Sequence, residues 1–182
     1  MKDFNRKDPS FSLCGLNCIL CPMHIGNYCP GCGGGPGNQT CSIARCSQDH
    51  DGAEYCFQCQ AYPCTRYEGI EILDSFISHR NQKRDQERAK QIGLYAYHTE
   101  LHEKSRILHD LLENHDDGRH KSFFCLTVNL LELGDLKEMV AKIEHETDSS
   151  LLTKKEKAKT AENLFREFAR DHDITLKLNK KK

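Results

Sequence analysis

The stretch C-G-L-N-C-I-L-C, residues 14–21, sets Cys14, Cys18 and Cys21 at a C-x3-C-x2-C spacing. Radical enzymes use that spacing to hold an iron–sulfur cluster for S-adenosylmethionine, and three thiols so placed also begin a structural zinc site. The two readings need different folds. Radical chemistry requires a partial barrel of alternating strands and helices downstream of the triplet. Here the triplet runs into further cysteines and then into helical patterning, with no strand–helix alternation and no glycine-rich strand end to hold an adenosyl cofactor. The stretch therefore reads as the opening of a loop-rich module held by metal.

Outward from it the thiols continue as Cys29-Pro30-Gly31-Cys32, then Cys41 and Cys46, then Cys56-Phe57-Gln58-Cys59, then Cys64. A C-x2-C turn is short enough for both sulfurs to meet one ion, and a tight residue just after it, here Gly33, lets backbone N–H groups point at the thiolates. Zinc takes four such ligands in a tetrahedron, so ten thiols fit about two ions. The simplest partition joins Cys18 and Cys21 to Cys29 and Cys32, and Cys41 and Cys46 to Cys56 and Cys59, with Cys14 and Cys64 left over. Interleaved sites are equally allowed by the spacing, and His24 and His50 would raise the ligand count enough for a third ion. A plain iron–sulfur cluster is the alternative occupant, because four thiolates suit both metals.

All of the eleven cysteines except Cys125 lie in this first part, together with the glycine run Gly33 to Asn38. Large apolar residues there are sparse, too few to offset the chain entropy of ordering the segment at about 1–2 kcal/mol per residue. From about Glu68 the pattern turns helical. Leu73, Phe76 and Ile77 begin it; Leu101, Ile107, Leu108, Leu111 and Leu112 continue it. Leu136, Met139, Val140 and Ile143 recur at i, i+3, i+4, i+7, and Ala161, Leu164, Phe165, Phe168 and Ala169 form a last stripe. Thr153 and Glu156 have the form of a capping box opening that last helix. Turn signals at Asp116-Asp117-Gly118 and Gly134-Asp135 separate helices. Ile174, Leu176 and Leu178 alternate with polar residues and predict a short strand before a basic tail, Lys180 to Lys182. The expectation is a mainly α protein: a cysteine-ligated zinc module over 1–66, then a four- or five-helix bundle over 67–182.

The ordered set C-G-L-N-C-x2-C at Cys14 to Cys21, C-x-G-C at Cys29 to Cys32, C-x-I-x2-C at Cys41 to Cys46 and C-x2-C-x2-Y-P-C at Cys56 to Cys64 resembles the prokaryotic family known as domain of unknown function 3795, a cysteine-rich and presumed zinc-binding group. The resemblance covers roughly the first third of the chain. It implies cysteine ligation of zinc at the positions quoted and brings no activity with it. The spacer between Cys21 and Cys29 is shorter here than in many members.

Composition bounds the role. In 182 residues, 26 basic and 27 acidic side chains nearly cancel, so no global field draws the chain to nucleic acid, membrane or acidic substrate. The first residues lack an apolar leader, and no stretch has the roughly 18 apolar residues of a membrane span, so a soluble cytoplasmic protein with reduced thiols is expected. Residues 79–91 carry Arg80, Lys83, Arg84, Arg88 and Lys90; on a helix Arg80, Arg84 and Arg88 form one basic stripe, open to a phosphate backbone or to nearby acids. Tyr95 and Tyr97 are the nearest rings that could stack on bases. Cys125, in Phe123-Phe124-Cys125-Leu126, reads as a small buried hydrophobe. No carboxylate pair, Ser–His–Asp set or H-E-x-x-H motif is visible. The reading is a zinc protein that is more a binding module than an enzyme, with a protein partner first, nucleic acid through helix 79–91 second, and thiol-based redox chemistry third.

Overall fold

A computed structural model of the chain describes residues 4–35, 41–50, 52–148 and 151–180. The protein is mainly helical, with seven α-helices and no strand among the described residues. Two short helices lie among the cysteines, α1 (Pro22–Ile25) and α2 (Ser42–Gln48). Five longer ones follow: α3 (Gln82–Ile92), α4 (Leu94–His115), α5 (Lys121–Leu130), α6 (Leu133–Thr147) and α7 (Lys154–Asp171). The chain forms two compact units, one of residues 1–101 with 178–182, the other of residues 102–177. The division thus falls inside α4, between Leu101 and His102, and not at the expected boundary of 66 and 67.

The reason is visible in the core of the first unit. The cysteine-rich loops do not close on their own sparse apolar residues; they recruit Tyr67, Ile77, Ala89, Tyr97 and Leu101 from beyond that boundary, and all five are buried. Phe11 is the hub, its ring 4.7 Å from that of Tyr97 and 5.4 Å from that of Tyr55. Arg6 passes under this cluster with its guanidinium 4.8 Å from the Tyr55 ring centre, and its Nη1 donates to the Phe11 carbonyl at 2.8 Å. Helix α3 packs on the loops through a polar face: Gln82, Asp85 and Gln86 are buried beside Ala89. Gln86 Nε2 donates to the Leu13 carbonyl at 2.9 Å, and its Oε1 accepts from the Phe57 N–H at 3.1 Å. Those two bonds satisfy loop groups that no ladder could reach.

The segment before α3 corrects the helix expected through Leu73, Phe76 and Ile77. Residues 68–81 form turns, and only Ile77 of the three is buried. Asp74 explains the break, since its carboxylate accepts from the Ser78 hydroxyl and the His79 N–H, a local alternative to helix hydrogen bonding. The expected terminal strand is also absent. Asp74 and Asn179 instead exchange a backbone bond of 2.7 Å and a side-chain bond of 2.8 Å, a single pairing with no ladder beside it. Lys181 and Lys182 of the basic tail, and Pro36 to Asn38 of the glycine run, lie outside the described residues.

The second unit follows its apolar stripes. Leu136, Met139 and Ile143 of α6 and Ala161, Leu164, Phe165 and Ala169 of α7 are buried, and the two helices pack on each other. Leu108, Leu111, Phe124, Cys125 and Val128 complete the core. The capping box is present: the Thr153 hydroxyl accepts from the Glu156 N–H and Glu156 accepts from the Thr153 N–H. Gly134 and Asp135, expected between helices, belong to the first turn of α6; the break comes at Leu131 and Glu132, where buried Lys104 donates to the Leu131 carbonyl. Asp135 then sits where the helix dipole favours a negative charge.

Candidate metal centre

The non-cysteine letters of C-G-L-N-C fix how the first thiols meet the rest of the unit. Gly15 has φ of 97°, and a Cβ there would strike the Gln82 carbonyl and lie 2.7 Å from Gln86 Cγ, so only glycine admits α3 this close. Asn17 is buried and its amide bonds at both ends: Nδ2 donates to Asp85 Oδ2 at 2.8 Å and Oδ1 accepts from the Tyr97 hydroxyl at 2.8 Å. Gly33, with φ of 76°, would place a Cβ 2.7 Å from Arg6 Cγ. Arg6 in turn brackets the Cys32 turn, its N–H donating to the Gly33 carbonyl.

Around this frame Cys14, Cys32, Cys41, Cys56 and Cys64 all pack on one small core of Phe4, Leu13, Ile43, Ala44 and Tyr67. All eleven cysteines are free thiols. Their electrostatic neighbours describe the groupings. Cys14 lies within reach of Cys32 and Cys41, and Cys18 within reach of Cys32, Cys14 and Cys21. Cys21 faces Cys29, and Cys56 faces Cys14, Cys64 and Cys46. The chain thus interleaves, with Cys14 beside Cys32 and Cys41, where the simplest linear partition leaves Cys14 over.

Nearby backbone N–H groups favour the charged form of several thiols: Leu16 for Cys14, Cys32 for Cys18, Leu13 for Cys32, and Met23 and His24 for Cys21. Burial outweighs these donors. It pushes the Cys14 thiol up to about 11 and that of Cys56 to about 12, and it raises Cys18, Cys21 and Cys32 as well. Such thiols stay protonated near neutral pH unless a positive charge is bound among them, which is the demand a metal ion meets.

A small cavity of about 30 Å³ lies where Cys46, Cys56, Cys59, Cys64 and His50 converge. That volume suits one ion or one water. The Tyr62–Pro63 peptide beside it is cis. In both candidate histidines the δ nitrogen is engaged: His50 Nδ1 donates to the Cys46 carbonyl at 2.8 Å and His24 Nδ1 to the Cys29 carbonyl at 3.0 Å. In the neutral rings the lone pair is therefore on Nε2, the tautomer that a metal-binding imidazole adopts. No three sulfurs among the described residues come within 4.8 Å of one another. The trio that does meet that limit is Asp116, Asp117 and His120, and sequence reading did not mark it as a site. Its oxygens are engaged already. Asp116 Oδ1 accepts from the Gly118 and His120 N–H groups, and Asp117 Oδ1 from the Arg119 N–H and from His120 Nδ1 at 2.8 Å. It reads as the turn that opens α5.

The basic stripe lies partly on α3, which starts after Arg80. Lys83 pairs with Glu71 at 3.1 Å, Arg84 with Asp85 at 3.2 Å and Arg88 with Glu100 at 2.6 Å. Tyr97 is buried and Tyr95 exposed. Cys125 is buried in α5. No helix of the described residues is long and apolar enough to cross a membrane. Comparison with protein-family models, with curated proteins and with solved structures gave no match to the chain.

Proposed function

We propose that the first unit is a zinc-binding module whose ions are structural, and that the protein acts by binding a partner protein. The observation that carries this reading is the convergence of five free, partly or fully buried thiols, Cys14, Cys32, Cys41, Cys56 and Cys64, on one small core, with the other five thiols of residues 14–64 in the segments around it. Two ligand sets follow most of the neighbour relations: Cys14, Cys18, Cys32 and Cys41 for one ion, and Cys46, Cys56, Cys59 and Cys64 around the small cavity for the other, with Cys56 also within reach of Cys14 in the first set. Cys21 and Cys29 then stand as a further pair, with His24 between them in sequence. Filled four-thiolate sites leave no open position for a substrate water, which favours a structural role over a catalytic one. The likeness to the family of unknown function 3795 points the same way.

A protein partner is supported by the turn segment before α3. Ile72, Leu73 and Phe76 are 66%, 46% and 57% exposed, neighbours in sequence, and unneeded by the core. Of the competing phosphate-binding stripe, Lys83, Arg84 and Arg88 are paired with acids. Elemental analysis tests the metal: protein purified aerobically is expected to be colourless with about two zinc ions per chain. Cys32→Ser and Cys56→Ser should each lose one ion. A brown preparation with stoichiometric iron and visible absorption would replace zinc by a cluster.

A further inference from the structure

Arg6 carries a positive charge into the core of the first unit. Its side chain is 2% exposed, and among the described residues of that unit it is the only buried arginine or lysine. A buried cation is costly unless acceptors and an anion surround it. Nε donates to the Glu54 carbonyl at 3.2 Å, and Nη1 donates to the carbonyls of Phe11 at 2.8 Å and Cys32 at 3.5 Å. The remaining nitrogen, Nη2, is buried and has no hydrogen-bond partner. Glu54 answers the charge only in part: its side chain is 34% exposed, and its Oε1, 3.4 Å from Nε, accepts no hydrogen bond.

The backbone fixes where this guanidinium stands. The Arg6 N–H donates to the Gly33 carbonyl at 3.1 Å, and a Cβ on Gly33 would lie 2.7 Å from Arg6 Cγ, so the arginine lies against the turn that carries Cys32. The guanidinium acts on the Cys32 thiol both as a nearby charge and as a side-chain hydrogen-bond donor. A thiol is a weak acceptor, whereas a hydrogen bond to an ionised group is strong. Four thiolates about one divalent ion leave a net negative charge, and in a buried site that charge calls for a cation beside it.

We infer that Arg6 is the fixed counter-charge of the first metal site, its guanidinium donating to the Cys32 thiolate when the ion is bound. The inference rests on the zinc reading and adds to it a residue that is not a ligand. Its consequence is control of that site: the arginine draws charge from the Cys32 sulfur, makes it a poorer nucleophile and holds the ion in place.

The test uses full-length protein loaded with cadmium-113 in place of zinc and labelled with nitrogen-15 at arginine. Magnetic resonance of the wild type is expected to show guanidinium protons of Arg6 coupled, through the N–H···S bond, to one cadmium resonance and to no other. In Arg6→Lys, which keeps the charge but loses the planar fork, that resonance should move and its ion should pass to a competing chelator about tenfold to a hundredfold more readily, with the second ion unaffected. An arginine that served only the Phe11, Cys32 and Glu54 carbonyls would show no coupling to the metal. The coupling is read on the wild type, so it decides even where Arg6→Lys fails to fold. Bound cadmium without that coupling, or an Arg6→Lys variant that keeps both ions as tightly as the wild type, would overturn the assignment and leave the zinc reading standing. Protein that binds no metal would overturn both.

Discussion

Gln86 shows how much a single polar side chain carries in the first unit. It is fully buried, and its one amide group serves a carbonyl in the loop at Leu13 and an N–H in the loop at Phe57. Gln86→Leu keeps the volume but strands both loop groups away from water, at a cost of about 2–4 kcal/mol. Thermal denaturation should show that loss even in zinc-saturated protein, and Gln86→Glu should not restore stability, because a carboxylate cannot donate to the Leu13 carbonyl. Cys125 is the opposite kind of residue. Buried among Phe124, Leu126 and Val128 on α5, it contributes chiefly by filling space, so Cys125→Ala is expected to cost about 1 kcal/mol and leave the metal content unchanged. Loss of an ion in that variant would show that the helical unit supplies a ligand.

Helices differ in how openly their sequences declare them. α6 and α7 bury apolar residues at helical spacing, and α7 opens on a Thr–Glu capping box, so periodicity and capping chemistry sufficed to read both. Thr153→Ala removes the hydroxyl that accepts from Glu156 and should cost about 1 kcal/mol by denaturant unfolding, with little effect on the cysteine-rich unit. α3 was legible only as a basic stripe, because the face it buries is made of Gln82, Asp85 and Gln86, and apolar periodicity is blind to a polar contact. The segment at Leu73 to Ile77 misled in the other direction. Its spacing is helical, yet Asp74 ties the backbone into a turn and leaves Leu73 and Phe76 outside. The thiols themselves were plain in the sequence. Their grouping was not, since which sulfurs face one another depends on how loops at Leu13, Cys32 and Cys41 cross in space.

At the scale of the whole chain, the position of the division inside α4 makes a specific forecast for metal removal. If zinc holds the cysteine loops, its binding free energy, on the order of 10 kcal/mol per site in comparable modules, is folding free energy for whatever packs on those loops. That includes α3, which is anchored through Asn17–Asp85 and Gln86–Leu13, and the first part of α4, anchored through Tyr97–Asn17. Residues 102–177 have their own apolar core in Leu108, Phe124, Leu136, Ile143 and Phe165. A strong chelator with reductant should therefore raise hydrogen exchange together across residues 4–35, 41–50 and 82–101, while α5, α6 and α7 keep their protection and most of the helix signal survives. The break in protection should fall within α4 near Leu101, not near Tyr67. Exchange that rises only up to residue 66 would restore the sequence-expected boundary and show that α3 stands without the metal. Collapse of protection in every helix at once would show that the two units fold as one cooperative body.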